Sequence, residues 1–238
     1  MSGNQDKSSV TARGESAPAK SQLDAFLEEV KQLAGGGSEG GRGRIIFALD
    51  ATASRKQTWD TACQLQAEMF REVAAAGGLE VQLVFYRDDD QCSASRWTPD
   101  TKHLTKIMTG IMCKAGHTQL RKVLAHAQKE TKMLKVGALI FIGDALEEDE
   151  DELIPEAREL GRLGVPTFMF QEGDNWRVEK IFREIVGATK GAYCRFDPGA
   201  ARQLAELLCG VAVYVTGGIT ALASRRDAGA IKLLGQLK

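Results

Sequence analysis

Two apolar runs that each stop at an aspartate constrain this chain more than any other feature. The first is Ile45-Ile46-Phe47-Ala48-Leu49, followed by Asp50-Ala51-Thr52-Ala53-Ser54; the second is Val136-Gly137-Ala138-Leu139-Ile140-Phe141-Ile142, followed by Gly143-Asp144. Neither has helical periodicity and each is too short for a helix, so both read as strands buried on two faces, as in a parallel sheet. In an extended segment positions i, i+2 and i+4 share a face, which lets Asp50, Thr52 and Ser54 present three oxygens to one point. Three hard oxygens suit a hard cation.

The rest of the chain supplies the covering helices. Gln57 to Ala76 carries Leu65, Met69 and Val73 at four-residue spacing and stops at Gly77-Gly78. Leu79 to Tyr86 reads as a second strand, Asp88-Asp89-Asp90 as a turn, and Gln91 to Trp97 as a short antiparallel edge strand. Helices are expected over Asp100–Met112 and Gln119–Leu134, with Gly116-His117-Thr118 breaking the chain between them. Further helices are expected over Asp151–Leu163, Trp176–Val186 and Ala200–Val215, and further strands over Val165–Phe170 and Ala192–Phe196. Strands alternating with helices make this an α/β protein, doubly wound, with a mostly parallel six-stranded sheet, one antiparallel edge strand and helices on both faces.

The ends divide by composition. Residues 1–20 lack large apolar side chains and are expected to be a disordered tail without an apolar leader. Residues 21–34 place Leu23, Phe26, Leu27, Val30 and Leu33 on one helical face, and 35–43 form a glycine-rich linker. The spacing Gly35-x-Gly37-x-x-Gly40 matches a dinucleotide fingerprint but precedes a strand, the wrong context for phosphate binding. Residues 44–216 are expected to form the main domain and 217–238 a helical extension that includes a short helix from Asp227.

Leu207 to Ser224 is uncharged for 18 residues, which reaches the length of a membrane span. Thr216-Gly217-Gly218 splits that stretch, and Leu204, Leu207, Leu208 and Val211 share a face, so a buried terminal helix is expected instead. Lys and Arg total 31 against 32 Asp and Glu, leaving no field to attract nucleic acid or an anionic membrane. The five cysteines are scattered without a C-x-x-C pair, which fits a reducing, cytoplasmic compartment.

The motifs resemble those of the von Willebrand factor A domain, in particular its bacterial intracellular members. That family builds a metal-ion-dependent adhesion site from D-x-S-x-S after the first strand, a threonine from a later loop and an aspartate after the fourth strand. Asp50-Ala51-Thr52-Ala53-Ser54 looks like the first element, with Thr52 keeping the hydroxyl of the usual serine. Thr118 looks like the second, with His117 where glycine is usual, and Asp144 like the third, flanked by Gly143 and Ala145 where the family has threonine and glycine. The resemblance implies a metal site of Asp50, Thr52, Ser54, Thr118 and Asp144 holding Mg2+ or Mn2+. It also implies a protein partner whose Asp or Glu completes the ion's shell, and by analogy an ATPase or chaperone system.

Around that site Asp88, Asp89, Asp90, His117, Glu147 and Glu148 are expected to form a rim. The run Glu147-Glu148-Asp149-Glu150-Asp151-Glu152 equally suits a helix start, where the dipole favours acids. The expectation is a metal-dependent protein-binding module used in intracellular assembly or regulation, not an enzyme. A magnesium-dependent phosphohydrolase or phosphoryl-transfer enzyme is the alternative from another class, and a metal-free scaffold the third. A P-loop is absent, and Arg55 and Lys56, the nearest cations, are expected to face solvent at a helix start.

Overall fold

The structure, a computed structural model, describes residues 43–57, 79–197 and 201–237. The expected tail, the helix over 21–34, most of the linker and the helix over Gln57–Ala76 lie outside these residues, apart from Gln57 itself.

Six strands form one sheet: β1 (Gly43–Asp50), β2 (Leu79–Arg87), β3 (Gln91–Ala94), β4 (Ala138–Gly143), β5 (Thr167–Glu172) and β6 (Ala192–Phe196). Their order is β3-β2-β1-β4-β5-β6, with only β3 antiparallel to its neighbour. The α/β class, the parallel sheet and the antiparallel edge all match the expectation.

Alternation sorts β1 into two cores. Ile45, Phe47 and Leu49 join the apolar cluster under α1 (Thr101–Thr109), α5 (Ala201–Ser224) and α6 (Ala228–Leu234). Ile46 and Ala48 join the cluster under α2 (Leu120–Met133), α3 (Glu150–Arg162) and α4 (Trp176–Thr189). Both faces are therefore covered, which is why β1 is apolar from Ile45 to Leu49 and β4 from Ala138 to Ile142.

Local chemistry sets the ends. Asp100 caps α1 by accepting from the backbone N–H groups of Lys102 and His103, and Gly110 stops that helix short of the expected Met112. Strand β5 starts after Pro166 and runs on through Gln171 and Glu172, two buried polar residues beyond the expected end at Phe170. Helix α5 is two helical segments that meet at a kink at Gly218, with φ 73° and ψ −170°, the split expected at Thr216-Gly217-Gly218.

Among the described residues α5 is the one helix long and apolar enough to cross a membrane. Its Leu204, Leu207, Leu208 and Val211 lie in the core against the sheet. The residues after Gly218 pack there too: Leu222, Ala230, Leu233 and Leu237 belong to the same cluster. Beyond α6, the Gln236 amide accepts from Tyr193 N and donates to Tyr193 O, both at 2.9 Å, pairing the open edge of β6.

Candidate functional site

In a doubly wound sheet, ligands bind beyond the carboxyl ends of strands where the order reverses. Here that point lies between β1 and β4. Leu49 pairs with Ile142, so Asp50 stands beside Gly143 with Asp144 next in line. The chain leaving β1 is fixed by backbone bonds from Ala51 N to Tyr86 O at 3.0 Å and from Lys114 N to Ala51 O at 3.1 Å.

Asp50 is fully buried, and its Oδ1 accepts from Thr52 N at 2.8 Å. Thr52 Oγ1 lies 3.1 Å from Ser54 Oγ, and Ser54 Oγ donates to Asp144 Oδ1 at 3.1 Å. The structure thus joins Asp50, Thr52, Ser54 and Asp144 in one continuous polar chain. The gathering does not follow from strand alternation alone: Ala53–Gln57 is a 3-10 turn, and it is this turn that carries Ser54 to Asp144.

Thr118 is engaged differently. Its N–H donates to Glu147 Oε2 at 2.9 Å while its Oγ1 accepts from Glu147 N at 3.0 Å. This reciprocal pair ties Thr118 to the loop that carries Asp144. Glu148 completes the junction by accepting from Leu120 N at 2.5 Å and Arg121 N at 2.9 Å, two of the otherwise unpaired donors at the start of α2. Burial pushes the Glu148 carboxyl above its ordinary range, against the lowering effect of those two bonds.

The other rim residues sit on the β2–β3 turn and the approach to α2. Asp88 holds φ at 60°, and Gly116 packs so closely on it that a Cβ there would come within 2.5 Å of its backbone oxygen. Asp89 Oδ1 lies 2.9 Å from His117 Nδ1, with both side chains exposed, and Asp90 is 3.7 Å from Lys122 Nζ. Asp149 caps α3, with Glu150, Asp151 and Glu152 in its first turn, so the acidic run does start a helix.

Two residues near the site escape the sequence reading. Arg55, expected to face solvent, is 1% exposed and meets Glu172 at 2.8 Å, reaching from the turn after β1 to the end of β5. A helix-start position gives no hint of this, because Glu172 is 117 residues away and becomes a neighbour only through the sheet order. The side chain of Lys56 lies outside the described ones. The second residue is Tyr86, which the register of β2 on β1 sets directly opposite Asp50.

The electrostatics are those of a carboxylate held out of water. Burial raises the Asp50 carboxyl to about 6, helped by the nearby Asp144 and opposed by its bonds to Thr52 and by Arg55. Asp50 Oδ2 is buried and unpaired. Among the described residues no group of three or more His, Cys, Asp or Glu side chains is placed to hold a metal, so an ion here would depend on hydroxyls as well as carboxylates.

No family profile matches this sequence, and no curated protein matches it. Solved structures do match. The SpRpn10 VWA domain superposes with a TM-score of 0.56 at 13% identity, covering 71% of this chain and 94% of that domain. The pilus adhesin SpaC from Lactobacillus rhamnosus GG gives 0.60 at 9% identity, covering 75% of this chain and 30% of the adhesin. The human COPII-coat protein Sec24c gives 0.54 at 12%, covering 75% of this chain and 33% of the coat protein. The chain spans only about a third of the latter two. At these identities the likeness shows the fold alone: a six-stranded von Willebrand factor A architecture.

Proposed function

We propose that this chain is a metal-dependent protein-binding module. A divalent cation held by Thr52, Ser54, Asp144 and Asp50 would be completed by an Asp or Glu of another protein. The observation that carries this reading is the spacing of three oxygens: Thr52 Oγ1 to Ser54 Oγ and Ser54 Oγ to Asp144 Oδ1 are both 3.1 Å. Adjacent ligands of an octahedral magnesium ion, at about 2.0–2.1 Å from it, stand about 3 Å apart. Manganese accepts the same donors.

The unpaired, buried Asp50 Oδ2 adds a second support, since a desolvated carboxylate oxygen without a donor costs about 1–3 kcal/mol or more. A cation beside this carboxylate would offset that cost. Thr118 would serve from the adjoining loop, its hydroxyl already facing Glu147. Two of these four donors are neutral hydroxyls, and an octahedral ion keeps further positions open for a carboxylate from outside.

The partner belongs to intracellular assembly or regulation, with an ATPase or chaperone system as the analogy at the level of the fold. A rim of Asp88, Asp89, Asp90, His117, Glu147 and Glu148 would favour a partner that is basic around its acidic ligand. The phosphoryl-transfer alternative has less to draw on, since the nearest described cation, Arg55, is drawn to Glu172.

Calorimetric titration of Mg2+ and Mn2+ into the full chain and into Asp50→Ala tests this. Saturable binding to the wild type that disappears in the variant supports the site. Equal heats in both, or none in either, leave a metal-free scaffold.

A further inference from the structure

Tyr86 ends β2 directly opposite Asp50 at the end of β1. Its ring is fully buried and stacks on Phe141 of β4 at 6.2 Å between centroids and 14° between planes. Strands β2 and β4 flank β1 and lie about 9.6 Å apart, so the two rings lean together across β1. The small Ala48, which pairs with Phe141, leaves them room.

Packing accounts for the ring but not for the hydroxyl. A phenylalanine would make the same stack, whereas the Tyr86 hydroxyl is buried and makes no hydrogen bond of ordinary length, with the Asp50 side chain the acceptor that acts on it. Leaving a buried donor unpaired is costly. Burial holds the phenol well above its ordinary range, and the nearby carboxylates Asp50, Glu148 and Asp144 add to the shift.

These acceptors are not equivalent. Both oxygens of Glu148 accept from the backbone of α2, and Asp144 Oδ1 accepts from Ser54. Asp50 Oδ1 accepts from Thr52 N, while Asp50 Oδ2 has no donor. An unpaired donor and an unpaired acceptor thus occupy paired positions on adjacent strands, both sealed from solvent.

We infer that Tyr86 is a positioning residue of the cation site, its hydroxyl donating to Asp50 Oδ2 when a cation draws the carboxylate into place. The inference rests on the cation-site reading above. Tyr86 does not touch the ion. It holds one rotamer of Asp50, and through it the hydrogen-bonded chain to Thr52, Ser54 and Asp144. Partners of metal-ligating groups typically contribute about 10–100-fold to metal affinity.

The test is Tyr86→Phe in the full chain, titrated calorimetrically with Mg2+ and Mn2+, beside wild type and Asp50→Ala. The expected result is about 10–100-fold weaker binding of either ion, with a metal-free melting temperature equal to or above that of wild type. A purely structural tyrosine would instead lower the melting temperature and leave affinity alone. Adding the ion to wild type is also expected to perturb the near-ultraviolet absorbance of tyrosine, a change lost in Tyr86→Phe. If wild type binds the ion, Asp50→Ala does not, and Tyr86→Phe matches wild type in affinity, the role of Tyr86 is overturned and the site stands. If wild type binds no ion, both fall.

Discussion

The Arg55 guanidinium meets the Glu172 carboxylate at 2.8 Å, with the two side chains 1% and 7% exposed. The pair links the turn after β1 to the end of β5, passing the end of β4 that lies between them. Removing one member leaves a buried charge unpaired, which costs about 3–5 kcal/mol. Arg55→Ala is therefore expected to lower urea-unfolding stability by that amount, and Arg55→Met combined with Glu172→Met to recover most of it. A single variant of near wild-type stability would show that the pair does not hold the turn.

Asp50 makes the cation-free protein pH-dependent. Its carboxyl is raised from 3.8 to about 6 on folding, so the folded state binds this proton more tightly than the unfolded chain. The resulting stabilisation is full below 3.8 and is lost as pH rises through about 6. A difference of that size corresponds to about 3 kcal/mol. In metal-free buffer, Asp50→Asn should gain stability over wild type by up to this amount between pH 4 and pH 7, as followed by urea unfolding. Saturating Mg2+ should flatten the wild-type profile, because the ion stabilises the ionised carboxylate. Parallel profiles for the two proteins without metal would contradict this.

Gly143 stands where the resembling family has threonine, and the packing explains why. A Cβ at that position would lie 2.8 Å from Cε1 and 3.0 Å from Cζ of the Phe141 ring, which is itself wedged against Tyr86 and Phe182. Gly143→Ala is expected to destabilise by about 1–3 kcal/mol through overpacking, with Phe141→Leu in the same chain relieving part of the loss. Thermal melts of the single and double variants check this.

Glu148 ties the β4 exit to α2 through the N–H groups of Leu120 and Arg121. Glu148→Ala should cost about 1–2 kcal/mol, the scale of a lost helix cap. Amide hydrogen exchange should show faster exchange at Leu120 and Arg121, with α3 protected as before. Unchanged exchange at those two amides would mean that the carboxylate does not cap the helix in solution.

Much of this arrangement was legible in the chain. The runs ending at Asp50 and Asp144 gave two strands and their order of use, because burial on both faces leaves an unbroken apolar signature. Thr52 and Ser54 were readable as oxygens near Asp50 because they are close in sequence, although the turn that brings Ser54 to Asp144 was not. Local spacing reports local geometry and little else.

What the sequence by itself determined is the α/β alternation, the apolar strands and the hydroxyls that follow Asp50, all carried by patterns over a few residues. Only the tertiary structure decided which distant groups share the site: Arg55 with Glu172, Thr118 with Glu147, and Tyr86 with Asp50. The physical reason is that a buried polar group's partner is set by strand order and register, and the side chains that meet at one end of a sheet can lie more than a hundred residues apart.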